Sequence, residues 1–216
     1  KSKNQYFYLM KKVLIFYCIF LCFQGFSQTN WQKFKKLSCA EKTWTLFHVF
    51  KAKKAFEISK EAQYVSDSIA KTPLLDGDKN SGQVDAFKHA YWMARLHQEI
   101  GKNAAKSLGK AHERTNYQQY KNSSLEDGET PDKISSEMDL YNNNIGLSFT
   151  QKGIPHPKDG LIYTIVNAIV AGKLKVVKKD SKKNYLTCEG TFISKKTLKR
   201  KWENNKCLVD SNFNIN

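Results

Sequence analysis

The sequence has 216 residues, of which 36 are basic and 20 acidic, so its formal net charge is +16. This length suffices for one domain with a substantial hydrophobic core, and the charge favours anionic partners such as a phospholipid surface or an anionic polymer. Most of the lysines lack neighbouring aromatic residues, which argues against specific readout of nucleic acid. A lysine-rich composition with no binding role would give the same charge.

The segment 1–27 has the composition of an upstream extension followed by an export signal. A pair of lysines precedes an unbroken apolar run at 13–23, and Gly25 and Ser27 place small side chains at the −3 and −1 positions of a cleavage site. We therefore expect cleavage between Ser27 and Gln28 and a secreted or periplasmic protein. The alternative is an uncleaved signal that anchors the chain in a membrane, although a spanning helix needs about 20 apolar residues.

Helical periodicity dominates the region 28–172, where loops that contain glycine and proline separate the apolar segments. The predicted helices are a long one within 31–71 that ends before Pro73, two shorter ones at 85–100 and 103–116, one that Pro131 opens and that runs to about Gln151, and an apolar one at 161–172. Asn103 and Thr130 are the predicted N-caps. The sequence therefore predicts a mainly α fold, a compact array of about five helices.

The segment 173–216 is predicted to be a small basic appendage. Residues 173–179 alternate in polarity as a strand does, and 185–194 would pair with them in a β-hairpin-like unit that turns around Glu189 and Gly190. The last residues of the chain lack a periodic pattern and are predicted to be loosely held.

Three cysteines follow the predicted signal, namely Cys39, Cys188 and Cys207. An oxidising compartment permits a disulfide, and an odd number of cysteines leaves one thiol over. Cys188 and Cys207 are the preferred pair because both lie in a tail without helical periodicity, and Cys39 would then be free. The sequence has no CxxC and no Cys/His spacing of a structural zinc site.

An acid and a histidine share one side of the predicted helix 85–100. At 100° per residue, Asp85 and His89 fall on the apolar stripe that also carries Trp92. Their spacing of four residues permits a carboxylate–imidazole hydrogen bond, and burial of such groups is costly unless they are paired. The pair is therefore predicted to be either a structural bond or an oriented base. The opposite, outer side is predicted to carry Phe87, Lys88, Tyr91, Arg95, Gln98 and Glu99.

A polar stripe runs along the helix that Pro131 opens, between two apolar faces, and is therefore predicted to point into the protein. Its members are Ser135, Asp139, Asn142, Asn143 and Gly146. Asparagine is a poor helix former, so three in succession need a reason, and Gly146 would let another backbone or a ligand come close. Asp139 with Asn142 or Asn143 would bind a divalent metal ion or stabilise developing negative charge.

The predicted helix 103–116 adds His112 and Glu113. His112 lies at the edge of its apolar face, whereas Glu113 lies nearer the lysine-rich side, where a surface ion pair with Lys110 is the simplest expectation. Three helices would then direct polar groups toward one interior, namely Asp85, His89, His112, Asp139, Asn142 and Asn143. Ionisable clusters in a cleft are candidate functional sites, although structural networks perturb the same residues.

Three segments, DAFKHAYW, GKAHE and SEMDLYNNNIG, resemble in this order the RHAYW-like, AHE and MDLxNNxxG motifs of an uncharacterised bacterial domain family. The resemblance covers a motif core at about 80–150, with Lys88 where the family would have arginine. It implies no reaction. The residues that it assigns to the family's shared core are His89, His112, Glu113, Asp139, Asn142 and Asn143.

The favoured functional hypothesis is an exported hydrolase that acts on an anionic substrate. Asp85 and His89 would form a general base with His112 as a further catalytic residue, while Asp139 holds a divalent metal ion. The residues expected to contribute to binding are Trp92, Glu113, Asn142 and Asn143. The alternatives are a non-catalytic binding or structural module with a buried polar network, and an exported antibacterial effector. No serine elbow, HExxH or calcium loop fixes the reaction.

Overall fold

The computed structural model describes residues 31–32, 34–124 and 129–213, and the predicted export segment lies outside them. The described chain is mainly helical with a two-stranded antiparallel sheet near the C-terminus, which confirms the predicted fold class. In chain order the elements are α1 (Cys39–Phe47), α2 (Val49–Ile69), α3 (Gln83–Ile100), α4 (Lys102–Lys121), α5 (Lys133–Gly146), α6 (Lys158–Val170), β1 (Lys175–Val177), α7 (Lys195–Leu198) and β2 (Leu208–Asp210). Among the described residues, no helix has the length and apolar character that a membrane span requires.

A corner at His48 separates α1 from α2. Ser38 caps α1 through a reciprocal capping box with Glu41, and His48 leaves the helical conformation at φ −131°, ψ 40°. The Nδ1 atom of His48 lies 2.9 Å from the carbonyl oxygen of Trp44. Because the chain turns here, α1 packs against α4 while α2 packs against α3. One continuous helix could not make both contacts.

Helix α3 is the centre of the domain, in contact with α2, α4, α5 and α6. Phe87 and Tyr91 are completely buried, and Arg95 is buried with its Nε atom 2.9 Å from Glu61. The prediction that these residues form an outer side was therefore wrong. A helical wheel presumes one buried face, whereas a helix with neighbours all round buries every face.

Helices α4 and α5 exist as predicted but with different ends. Gly101, at φ +88°, precedes α4 in place of the predicted cap Asn103, and α4 continues to Lys121. Asp132, rather than Thr130, caps α5 by accepting a hydrogen bond of 2.9 Å from the Ser135 backbone N–H. Helix α5 therefore begins two residues after Pro131 and ends at Gly146 instead of near Gln151, and the apolar helix α6 begins three residues earlier than predicted.

The predicted pairing of 173–179 with 185–194 is present only at its end, where Lys179 forms an antiparallel bridge to Tyr185; β1 itself has another partner. β1 pairs antiparallel with β2, in the register Lys175–Asp210, Val176–Val209 and Val177–Leu208, so the predicted loose tail supplies a strand. The segment 185–194 folds mainly upon itself, with Leu186 bridged to Phe192 across the turn at Glu189 and Gly190. The predicted disulfide between Cys188 and Cys207 is confirmed, and Cys39 is free and exposed.

Buried ion pairs attach the appendage to the loops that precede α3 and α5. Lys179 Nζ lies 2.7 Å from Asp78, and Lys206 Nζ lies 2.6 Å from Asp132. The ring of Tyr185 lies beneath the Lys206 ammonium at 3.7 Å, and its hydroxyl donates to Glu129. We call this set of residues, Asp78, Glu129, Asp132, Lys179, Tyr185 and Lys206, the appendage network.

Candidate functional site

The first two turns of α3 place Asp85 and His89 on the inner side of the helix. Both residues are buried, and Asp85 Oδ2 accepts a hydrogen bond of 2.8 Å from the backbone N–H of Ser81 in the preceding loop. The other carboxylate oxygen of Asp85 lies 3.7 Å from His89 Nε2. This distance exceeds that of a hydrogen bond. The two side chains therefore meet as predicted, but as neighbours around a common point rather than as a bonded pair.

Helix α5 directs Asp139 and Asn143 at the same imidazole from the opposite side. His89 Nε2 lies 3.3 Å from Asp139 Oδ1, and His89 Nδ1 lies 3.3 Å from Asn143 Oδ1. The amide oxygen and the carboxylate oxygens only accept hydrogen bonds, so the neutral ring can donate to one side at a time, and the bond to Asn143 belongs to the tautomer with the proton on Nδ1. The lone pair of Nε2 then faces two carboxylate groups, an arrangement that calls for a cation.

Burial is the main cause of a low pKa at His89, which falls from 6.5 to about 3. The Asp85 carboxylate opposes this shift, while the positive charge of Lys88 adds to it. The imidazole is consequently neutral at physiological pH. For Asp85, burial disfavours ionisation, but the Lys88 ammonium and the adjacent His89 ring outweigh it and keep the pKa below the usual value. Asp85 is therefore ionised beside a neutral His89.

Lys88 lies at the mouth of the site and not on the predicted outer face. Its Nζ atom is 2.9 Å from Asp85 Oδ1, and its side chain is only 21% exposed. The Lys88 ammonium therefore lies beside the ionised Asp85 carboxylate and the neutral His89 ring. We call Asp85, Lys88, His89, Asp139 and Asn143 the site cluster.

The spacing of the ligand atoms suits a metal ion. One nitrogen or oxygen atom each from Asp85, His89 and Asp139 lies within 4.8 Å of the other two, and all three residues are buried. A tetrahedral ion at about 2.1 Å from each donor would separate donors by roughly 3.4 Å. The separations from His89 Nε2, 3.3 Å to Asp139 and 3.7 Å to Asp85, bracket that value.

Two cavities meet at Lys88. One of about 40 Å³ lies over the site cluster between the loop before α3 and the residues 129–131, and its size admits an ion with water but no larger ligand. The other, of about 180 Å³, lies between α2 and the start of α3 and is lined by Lys79 and Lys88 together with Gln63 and Ser66. Asp85 also lines this cavity, and both lysines are paired with acids, Lys88 with Asp85 and Lys79 with Asp67 at 2.8 Å.

A glycine holds α3 and α5 together beside the site. A Cβ atom at Gly146 would overlap the backbone of Ala90, so the two helices approach each other closely here, as the sequence predicted. Gly146 lies one to two turns from Asn143 and Asp139 along α5. The distance from these two side chains to His89 therefore depends on the contact at Gly146.

His112 and Trp92 lie next to the site cluster without entering it. The ring centres of His112 and His89 are 6.1 Å apart, and His112 Nδ1 is 3.8 Å from a carboxylate oxygen of Glu41. Trp92 contacts the His112 ring edge to face at 5.5 Å and donates a hydrogen bond of 2.9 Å to Ser59. Trp92 on α3 and His112 on α4 therefore pack against each other beside the site cluster.

Asn142 and Glu113 are buried, with hydrogen bonds to residues outside the site cluster. The Asn142 amide bonds the backbone N–H and carbonyl of Lys175 in β1, each at 2.9 Å, so it connects α5 to the sheet. Glu113 is buried and accepts a hydrogen bond of 3.2 Å from Asn116. The prediction that Glu113 lies on the surface was therefore wrong.

Sequence reasoning missed the contribution of the loop before α3. Ser81, at φ +60°, turns its backbone N–H onto Asp85, and its hydroxyl lies 3.2 Å from that of Ser135 at the start of α5. The signal was the polar run DGDKNSG directly before the first turn of α3. Such a run at a helix start places its backbone donors near an acid in the first turn.

The fold and the site define a helical domain with a buried histidine–carboxylate cluster between its two central helices. A family model described as a domain of unknown function, DUF6973, matches residues 42–173, well over half of the sequence. The chain belongs to this family, as the motifs in the sequence indicated. The match includes every residue of the site cluster and none of the appendage after residue 173. No curated protein and no solved structure matches the sequence.

Proposed function

We propose that the protein is an exported, metal-dependent hydrolase that acts on an anionic substrate, with Asp85, His89 and Asp139 as the metal ligands. The observation that carries the proposal is the convergence of three buried ligand atoms within 4.8 Å of one another. A divalent cation held there would lower the pKa of a bound water and polarise the bond to be broken. No other protein group in the described part of the chain is needed to supply the nucleophile.

The protonation states of the site cluster support this role. Metal ligands bind as neutral imidazole and ionised carboxylate, which are the forms that the low pKa values of His89 and Asp85 favour. The Nδ1 contact to Asn143 orients the ring and directs Nε2 at the ion, as outer hydrogen bonds commonly do for metal-bound histidine. A general base works best with a pKa near the working pH, so a ligand role suits His89 better.

Lys88 supports the choice of an anionic substrate. Its ammonium lies 2.9 Å from Asp85 and also lines the cavity of about 180 Å³ beside Lys79. A metal ion at Asp85 would compete with the ammonium for the carboxylate. Displaced toward that cavity, Lys88 would join Lys79 in holding a phosphate or carboxylate of the substrate next to the metal.

Thermal unfolding tests the metal site directly. We expect Mn²⁺ or Zn²⁺, added after chelator treatment, to raise the midpoint by roughly 5–10 °C at a hundredfold excess over the dissociation constant. Asp139→Asn should abolish the rise, whereas Glu137→Gln, an exposed acid on the same helix, should retain it. No rise with Mn²⁺, Zn²⁺, Mg²⁺ or Ca²⁺ in the unsubstituted protein would overturn the metal site and leave a structural polar network.

Hydrolysis is tested with the metal-loaded protein on phosphodiester and carboxylic ester substrates. Lys88→Ala should retain the metal-dependent rise in the unfolding midpoint but lower kcat/KM at least tenfold for anionic substrates. Turnover that is equal with and without Lys88 would remove the proposed role of that lysine. Absence of turnover on any anionic ester by a protein that binds the metal would contradict the hydrolase.

Export is supported by the composition of segment 1–27 and by the disulfide between Cys188 and Cys207, since disulfides persist in oxidising compartments. Export is tested by measuring the mass of the protein that is recovered outside the cytoplasm of a producing bacterium. We expect a mature chain that begins at Gln28 and carries the disulfide. A chain retained in the cytoplasm with reduced cysteines would contradict export, and an uncleaved chain in the membrane fraction would indicate an anchor instead.

A further inference from the structure

The corner between α1 and α2 exposes an unusual amount of apolar surface. Phe50 is 100% exposed and Phe47 is 82% exposed, and beside them Leu46 is 65% and Val49 57% exposed. We call these four residues the α1–α2 corner. Contiguous apolar surface of this kind marks an interaction site on a soluble domain. The corner lies where two helices meet, so its side chains could insert into a lipid layer.

Lysines surround the α1–α2 corner. Lys51, Lys53 and Lys54 follow it directly, and Lys42 lies one turn before it. Glu57 is the nearest acid along α2, and it pairs with Lys54 at 3.4 Å. Projecting aromatic side chains ringed by lysine are the chemistry of attachment to anionic lipid. Two copies of this basic surface would repel each other, which argues against a second copy of the chain as the partner.

An apolar cleft opens beside the corner. It has a volume of about 450 Å³, lies between α1, α2 and α3, and reaches from Val49 at the corner to Trp92 on α3, with Trp44 and Phe56 in its walls. This volume falls within the usual range for a small-molecule site. Lys53 and Lys60 also line it, and the Lys60 ammonium lies 4.9 Å from the centre of the Phe56 ring.

The two acids in the cleft are already paired. Glu41 accepts a hydrogen bond of 3.0 Å from the Ser38 backbone N–H and faces His112, and Glu57 is held by Lys54. The cleft therefore combines an apolar interior with lysines that can meet a phosphate. An acyl chain joined to an anionic head group matches both parts.

We propose that the α1–α2 corner and this cleft form a phospholipid-binding site at an anionic membrane surface. The corner inserts between the head groups, one acyl chain enters the cleft, and Lys53 and Lys60 contact the phosphate. The proposal is independent of the metal site, because none of its residues belongs to the site cluster.

Tryptophan fluorescence of the full chain tests the proposal. Trp31→Phe and Trp202→Phe leave only Trp44 and Trp92, both of which line the cleft. Vesicles of phosphatidylglycerol with brominated acyl chains should quench at least half of this emission, whereas the unbrominated lipid should not. Brominated phosphatidylcholine should quench little. Absence of quenching would overturn the proposal, and equal quenching by both lipids would overturn the role of the lysines.

Three variants separate insertion of the corner from occupation of the cleft. In Phe47→Ser with Phe50→Ser, the apparent affinity for the vesicles, measured by titration of the quenching, should fall at least tenfold because two exposed aromatic anchors are lost. Tyr64→Ser, which removes an aromatic residue 75% exposed on α2 and about 21 Å from the corner, should change nothing. Ala52→Phe should fill the cleft and abolish quenching while vesicle binding persists.

The apolar run at 13–23 of the full chain can itself enter a bilayer, so the comparison among variants is decisive rather than vesicle binding alone. A metal-dependent rise in the unfolding midpoint that is unchanged in the corner variants would show that they are folded. A dimer in sedimentation that Phe47→Ser with Phe50→Ser dissociates would overturn the proposal by making the corner a contact between two copies.

Discussion

Two polar clusters adjoin the loop before α3, and they differ in how their charged groups are paired. In the appendage network Lys179 is paired with Asp78 and Lys206 with Asp132. The third carboxylate, that of Glu129, accepts a hydrogen bond from Tyr185 and lies 3.7 Å from Lys195. In the site cluster, Lys88 is paired with Asp85, and the neutral imidazole of His89 lies 3.7 Å from Asp85 and 3.3 Å from Asp139. The first arrangement is complete without a ligand. The second brings three possible metal-ligand atoms, from Asp85, His89 and Asp139, within 4.8 Å of one another.

The difference separates a structural role from the proposed functional one better than burial does, because all members of both clusters except Lys88 and Glu129 are buried. Buried ions are costly unless they are paired, so attachment of the appendage is a sufficient role for a matched network. An unmatched cluster in the interior is stabilised when a cation completes it. The loop is common to both, since Lys179 bonds the Asn80 carbonyl and Ser81 donates to Asp85.

The largest expected effect is that of breaking a matched pair. Lys206→Met leaves Asp132 as a buried charge without its lysine, so we expect the free energy of unfolding in urea to fall by about 3–5 kcal/mol. Lys133→Met is the control, because Lys133 forms an exposed pair with Glu203 at 3.1 Å and should cost less than about 1 kcal/mol. Equal effects of the two substitutions would remove the distinction between the appendage network and a surface pair.

The second-largest expected effect is the loss of stability at acidic pH, which arises in the site cluster. The pKa of His89 falls from 6.5 in an unfolded chain to about 3 in the folded one. Below pH 6.5 the unfolded chain therefore takes up the proton first, and stability is lost as the pH falls toward 3. The metal-free protein should lose about 2 kcal/mol between pH 7 and pH 5, at about 1.4 kcal/mol per pKa unit.

Urea unfolding at both pH values, with His89→Gln beside the unsubstituted chain, measures this loss. The variant should show a flatter dependence, because it lacks the titrating group. Asp85, whose pKa is also lowered, loses its contribution to stability only below its ordinary range, so it adds little above pH 5. A stability that does not change between pH 7 and pH 5 would contradict a buried neutral His89.

The smallest expected effect is that of Asp139→Asn on the free energy of unfolding, and its sign distinguishes the two kinds of cluster. Asp139→Asn keeps the shape of the side chain and removes one of two neighbouring carboxylates, so the metal-free protein should change by less than about 1 kcal/mol or become more stable. Glu137→Gln on the same helix provides the baseline. If Asp139→Asn instead lowers the unfolding free energy as much as Lys206→Met does, the site cluster is structural in the same sense as the appendage network.

The helices of the fold were predictable because their signal is local. Apolar periodicity and loop residues located α3, α4, α5 and α6 to within a few residues at most ends. The break at His48 was not predictable, because no glycine or proline marks it and only the separate partners of α1 and α2 require it. The pairing of β1 with β2 joins segments about 30 residues apart, and no local pattern specifies such a partner.

The inward stripe of α5 was predicted correctly, since a polar stripe between two apolar faces cannot turn to solvent without exposing one of them. Asn142 and Asn143 nevertheless have different partners, the backbone of β1 for one and His89 for the other. Lys88 was placed on the wrong side because a wheel treats a side chain as radial, whereas a long lysine can reach back to an acid three residues earlier. Both details depend on side-chain reach and on neighbouring elements.

The close contact at Gly146 predicts which positions a mutagenesis screen would recover. In a random mutagenesis screen for loss of metal-dependent activity, substitutions at Gly146 should be recovered alongside those at Asp85, His89 and Asp139, although a glycine contributes no atom to the cluster. Any side chain there collides with the backbone of Ala90 and separates α5 from α3. The loss-of-function map would thus contain a position whose importance lies in the absence of a side chain.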